Sequence, residues 1–206
     1  DDIAQAFALI GVRPKWAAGS QRVTDFEVVP AVGLRRPRVD VTLRISGFFR
    51  DAFPNVVQMF DAAVRAVAAL DEDAEDNPIR ARVLRDAAAW TAQGMAADAA
   101  HEQALWRIFG APTGSYGTSM HDLLRTGRWT DASDFARHYL HGGAFAYGQQ
   151  ADGVPARQAL EQRLQALDVV LQNQDSREHD LLDSSEYYQH QGGMVAAVRH
   201  LGGGEP

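Results

Sequence analysis

The sequence predicts a mainly helical α/β to α+β fold with a small β-sheet in its amino-terminal third. Three patterns carry this expectation. Residues 22–32 (RVTDFEVVPAV) and 39–45 (VDVTLRI) are rich in β-branched side chains and are punctuated by Gly33, Pro37 and Gly47, which reads as two strands. Val56, Phe60, Val64, Val67 and Leu70 then recur at steps of three or four after Pro54, the signature of an amphipathic helix opened by proline. Beyond residue 77 the chain is Ala-rich and carries little strand signal.

Taken in order, the first residues read as part of an amphipathic helix, and residues 1–70 form a mixed α/β segment. Residues 71–77, an acidic run without an apolar anchor, read as a solvated linker rather than an acidic metal site. Residues 78–206 follow as a mainly helical segment, the whole being expected to form one compact unit. Asn77-Pro78 supplies an N-cap and first-turn proline for a stretch to about Phe109, bent at Gly94. Thr118 or Ser119 can begin a helix, Thr130 or Asp131 caps one through Leu140, and Pro155 opens another to about Leu167. Asp183 with Glu186 resembles a capping box, and Gly202 closes the last helix.

Composition removes several functions. The chain of 206 residues has no cysteine, so thiol nucleophiles, zinc-thiolate sites and iron-sulfur ligation are excluded. A net charge of −7 argues against a nucleic-acid surface. Lys15 is the single lysine, which leaves arginine as the chain's cation. Neither a membrane span nor a signal peptide is recognisable, so a cytoplasmic setting is expected; the start without Met and the Gly202-Gly203-Gly204-Glu205-Pro206 ending suggest a piece of a longer protein.

The densest polar segment is residues 172–194, where Asp175, Glu178, His179, Asp180, Asp183 and Glu186 fall within twelve residues beside Tyr187, Tyr188 and His190. Imidazole with carboxylates can hold a divalent cation, move protons, or do both, while the same residue types also build turns and helix starts. His138 and His141, one turn apart, read as an ordinary packed or surface pair. The stretch 110–118 (GAPTGSYGT) lets backbone approach a ligand closely but lacks the GKS or GKT ending of a phosphate loop and is expected to follow a helix. Asp40, Thr42 and Arg44 would share a strand face, with Arg50 and Asp51 in the turn after it. Arg44 and Arg50 can each clamp a carboxylate or form a structural ion pair. Trp16, Trp90, Trp106 and Trp129 are expected in the core.

Three segments, RPRVDVTLRISGFFRDAFPN (36–55), RIFGAPTGSYGTSM (107–120) and NQDSREHDLLDSSEYYQHQGGM (173–194), together resemble the large subunit of aerobic cobaltochelatase, of the CobN type, and the related H-type large subunit of magnesium chelatase. They stand in the family's order and cover most of the chain, departing from the family pattern at Ser176, Ser185-Glu186 and His190.

The resemblance implies a carboxyl-terminal fragment of a subunit several times longer. That subunit binds hydrogenobyrinic acid a,c-diamide and inserts cobalt(II), its substrate ion, during cobalamin synthesis. An AAA+ ATPase subunit and its partner would use ATP and magnesium, which this chain would not bind. The fragment alone would be inactive. Within that reading His179 and Glu178 are the catalytic candidates. His179, Asp180 and Asp183 are the metal candidates, and Arg44, Arg50, Tyr116, Tyr187 and Tyr188 would meet the tetrapyrrole. The alternatives are the H-type subunit of a magnesium chelatase, acting on protoporphyrin, or a non-catalytic region that docks the ATPase subunits.

Overall fold

A computed structural model describes residues 2–20, 23–118, 120–172 and 187–202. In chain order it holds α1 (Asp2–Ile10), β1 (Val12–Trp16), β2 (Val23–Val28), α2 (Ala31–Leu34), β3 (Leu43–Arg44), α3 (Gly47–Ala52) and α4 (Pro54–Ala68). There follow α5 (Pro78–Ala92), α6 (Ala97–Leu105), β4 (Ile108–Gly110), α7 (Met120–Thr126) and α8 (Ala132–Gly143). The remainder is β5 (Phe145–Gly148), β6 (Ala151–Pro155), α9 (Arg157–Leu164), a π-helical turn (Tyr188–Gly192) and α10 (Gly193–His200). The fold is mainly helical with small sheets, as the sequence predicts, but strands also occur beyond the first third. β1 and β2 form a two-stranded antiparallel ribbon, and the other sheet has the order β3-β4-β5-β6.

The chain divides into two compact units. The first is Asp1–Leu43, Phe53–Ile108 and Tyr147–Asp152; the second is Arg44–Ala52, Phe109–Ala146 and Gly153–Pro206. They do not part at the acidic run, since both of its flanks belong to the first unit.

In the first unit the core gathers Phe7 and Ile10 of α1, Phe60, Val64 and Val67 of α4, Ile79 and Val83 of α5, and Ala100 and Ala104 of α6. Phe7 meets Phe60 edge to face at 5.4 Å. The predicted strand at 39–45 shrinks to β3, because the backbone before it bonds elsewhere: Arg38 N–H donates to Asp76 and Val39 N–H to Leu9. Arg38 itself, 2% exposed, donates to the carbonyls of Ile10, Gly11 and Val29 and to both oxygens of Glu72. Gly11 has φ +83° and no room for a Cβ beside that guanidinium.

The 71–77 run lies between α4 and α5 and is tied rather than freely solvated. Glu72 pairs with Arg38, and buried Asn77 both caps α5 through Arg80 N–H and donates to the Val67 carbonyl. The helix expected to bend at Gly94 instead ends at Ala92. A φ of +95° at Gly94 terminates it, and α6 starts afresh before giving way to β4.

Two carboxyls in this unit titrate low. Arg38 holds Glu72, and Arg65 holds Glu102, below the ordinary value of 4.5. A carboxyl with a depressed folded value contributes its full stabilisation above the unfolded value and loses it as pH falls through the folded one. The urea midpoint is therefore expected to hold from neutrality to about pH 5 and then to fall. Glu72→Gln should flatten that fall; an undiminished fall in the variant would assign the acid lability to other groups.

Candidate functional site

The second unit contains the described parts of the resembling segments that carry site candidates. Ser46 caps α3 by accepting from Phe49 N–H at 3.1 Å. Next to it, Gly47 lies so close to the 111–118 loop that a Cβ would overlap the Ser115 carbonyl oxygen and stand 2.9 Å from Tyr116 Cα. One turn on, Arg50 reaches into the loop. Its Nη1 donates to Ala111 and Pro112 carbonyls at 3.1 Å and to Ser115 at 3.4 Å, while Nε and Nη2 fork onto Asp51 at 2.6 and 3.0 Å. Such a fork suits a planar guanidinium and not an ammonium. The 110–118 stretch follows β4, not a helix, and Arg50 is what gives this irregular backbone a fixed shape.

Tyr116 sits over Arg50 with 5.8 Å between ring centroid and guanidinium carbon, and 60% of its surface is exposed. Arg50 and the Tyr116 hydroxyl hold the Asp51 carboxyl below its usual range; Asp51 in turn pushes the Tyr116 phenol up. The ring is thus presented outward by a hydrogen-bonded neighbour.

Arg44 has different surroundings. Its Nη1 donates to the adjacent Ile45 carbonyl at 2.5 Å, its guanidinium carbon stands 5.4 Å from the Tyr139 ring centre, and its Nε is buried without an acceptor among the described residues. Gly143, the last residue of α8, makes room: a Cβ there would stand 2.6 Å from Nε and 2.8 Å from Nη2. Tyr139 is fully buried and its hydroxyl has no partner among the described residues; burial pushes its phenol up to about 12 against the opposing effect of Arg44.

Asp131 caps α8 in a capping box with Asp134, which sets the helix on which Tyr139 and Phe135 stand. Against it packs α10, where the absent side chain of Gly193 admits the Tyr139 ring. Between α7, α8 and the turn before α10 opens an apolar recess of about 280 Å³ lined by Met120, Leu124, Phe135, Tyr188, Gly192 and Ala196. A π-helical turn widens the helix there and marks many functional positions. Tyr188 is 45% exposed, and Tyr187 beside it is half-buried.

Tyr188 and the recess come together, as do Arg50 and Tyr116, whereas Arg44 stands with Tyr139. His179, Glu178, Asp180 and Asp183 lie outside the described residues, as does the capping box expected at Asp183 and Glu186. His138 and His141 are exposed on α8, and among the described residues no three metal-binding side chains cluster. Trp90 and Trp106 are core residues, but Trp16 and Trp129 are 59% and 47% exposed; Trp129 meets Phe135 at 5.1 Å with the rings tilted by 54° instead of entering the core. Sequence reasoning missed Tyr139, Gly143 and the recess. Met120 and Leu124, four apart on α7, were the available signal.

The whole chain, residues 1–206 and thus both units, matches the family model CobN/Magnesium Chelatase, and the protein belongs to that family. More particularly, it is 58% identical over 203 residues to the aerobic cobaltochelatase subunit CobN of Pseudomonas aeruginosa, covering 98% of this chain and 16% of that relative. It is 52% identical to the CobN subunit of Sinorhizobium sp over all of this chain and 16% of that protein. The H-type magnesium-chelatase subunit of Cereibacter sphaeroides is 33% identical over 98% of the chain and 16% of its own length. Among solved structures, the catalytic subunit of cobaltochelatase from Mycobacterium tuberculosis superposes with a TM-score of 0.91 at 47% identity, covering 100% of this chain and 17% of that one. The chain thus spans about a sixth of the length of these relatives. No helix among the described residues is long and apolar enough to cross a membrane.

Proposed function

We propose that this chain is part of the tetrapyrrole-binding subunit of an ATP-dependent aerobic cobaltochelatase, where it helps insert cobalt(II) into hydrogenobyrinic acid a,c-diamide. The observation that carries the cobalt assignment is the identity gap: 58% and 52% to the two CobN subunits against 33% to the magnesium-chelatase subunit, over nearly the whole chain in each case.

Insertion requires that the ion shed water, that ring nitrogens lose protons as metal–nitrogen bonds form, and that the macrocycle bend so its lone pairs reach the metal. His179 with Glu178 has the chemistry to accept those protons near neutral pH. Together with Asp180 and Asp183, His179 also offers the mixed nitrogen and oxygen donors that suit a borderline divalent ion. Tyr188, next to that segment in sequence, lines the apolar recess. At about 280 Å³ the recess is slightly below the ~300–1,000 Å³ of small-molecule pockets, so it would take one edge of a macrocycle rather than the whole ring. Tyr116 and Tyr187 supply further ring surface. ATP would be hydrolysed on an AAA+ partner subunit, which works with a further protein of the complex in a cytoplasmic setting.

Calorimetric titration of cobalt(II) into the intact subunit, native and His179→Ala, with and without tetrapyrrole, tests this. Loss of cobalt binding in the variant is the expected result. Unchanged binding would move the metal-handling step away from the 178–183 segment.

A further inference from the structure

The two arginines that sequence alone treats as equals are in different states. Arg50 is consumed by the protein: three loop carbonyls and both oxygens of Asp51 take up its donors. Arg38, Arg65, Arg82 and Arg107 likewise each have a carboxylate within 4.0 Å. Arg44 differs from those four. Its one hydrogen bond is to the carbonyl of the next residue, and no carboxylate of the described residues lies within 4.0 Å.

Nor can its neighbour neutralise it. A phenol pushed up to about 12 stays protonated, so Tyr139 offers Arg44 a ring face and no countercharge. What steadies the cation is the C-terminal end of α8, where Gly143 leaves space against the Nε and Nη2 edge and the helix presents its partial negative charge. That arrangement fixes the guanidinium in place while leaving it without the anion a half-buried charge calls for.

We infer that Arg44, and not Arg50, is the residue that receives a carboxylate from the rim of the bound macrocycle, with Tyr139 and Gly143 holding its guanidinium ready. Arg50 is a positioning residue that shapes the 111–118 loop. This rests on the tetrapyrrole-binding reading above and assigns one contact within it.

The test uses two porphyrins that differ only in charge, deuteroporphyrin IX with its two free carboxylates and its dimethyl ester, titrated into the intact subunit and followed by quenching of tryptophan fluorescence. Native protein should bind the free acid about tenfold more tightly than the ester, the advantage shrinking as salt is raised. Arg44→Gln should erase that difference by weakening the acid alone. Arg44→Lys, which keeps the charge but not the planar fork, should restore part of it. A free acid that keeps its full advantage in Arg44→Gln overturns the inference. So does native protein that binds acid and ester equally, a result independent of any variant's folding. Native protein that binds neither porphyrin, nor hydrogenobyrinic acid a,c-diamide in a parallel titration, would instead sink the tetrapyrrole reading itself, and the assignment of Arg44 with it.

Discussion

Asp61→Ala is expected to lower the unfolding free energy of the 206-residue chain by about 3–5 kcal/mol, the cost of breaking a buried ion pair from one side. The Asp61 carboxylate is 1% exposed on the inner face of α4. It accepts from Arg65 Nε at 2.7 Å and from Gln149 N–H at 2.9 Å. Arg65 is in turn forked onto Glu102 at 2.7 and 2.5 Å, and these carboxylates hold its proton more firmly than in water. Removing Asp61 thus orphans a backbone N–H, unbalances an arginine and opens a cavity at once. Gly148 has no side chain because the carboxylate stands where its Cβ would be, 2.6 Å from Asp61 Cγ. The space is therefore not refilled from that side. Asp61→Asn retains the shape and should cost roughly half as much. Urea unfolding of the three proteins checks both figures, and a loss below ~1 kcal/mol for Asp61→Ala would show that the network is not coupled in the way its geometry implies.

Arg50→Ala is expected to cost about 3 kcal/mol and, more tellingly, to loosen one loop. Three carbonyls lose their donor together, Asp51 loses its counterion, and the Tyr116 ring loses the cation beneath it. Limited proteolysis should then cut within residues 113–117 well before the rest of the chain. Arg50→Lys should give little rescue, because a single ammonium cannot face three carbonyls and a carboxylate in one plane. Unchanged cleavage in Arg50→Ala would mean that the Gly47 contact alone shapes the loop.

The amphipathic helix at 54–68, the Asn77-Pro78 start and the Asp131 cap were legible because each is set by neighbours in sequence: a period, a proline, a carboxylate near a helix start. The family was legible in three local segments. What was not legible depends on partners far along the chain. β1 carries Pro14 and Lys15, which demote a strand in isolation; in a two-stranded ribbon both strands are edges and the proline is tolerated. The β5-β6 hairpin turns at Gln149-Gln150, a pair without the usual Asn-Gly or Asp-Gly signal. Asp61 interrupts the apolar face of α4, and nothing local shows that its partner is a backbone N–H far downstream. For Arg44 and Arg50, spacing shows two cations near one turn but not which of them the protein itself consumes.

The bond between Asp61 and Gln149 spans 88 residues, and both ends belong to the first unit. On a ribosome adding about 5–20 residues per second, the carboxylate waits roughly 4 to 18 seconds for its N–H donor to be made. During that interval α4 is a newborn amphipathic helix with a charge in its greasy face and no hairpin to cover it. This buried charge thus gains its backbone donor only when the final segment of its unit is made, which makes that stretch of synthesis a period when a chaperone has most to protect.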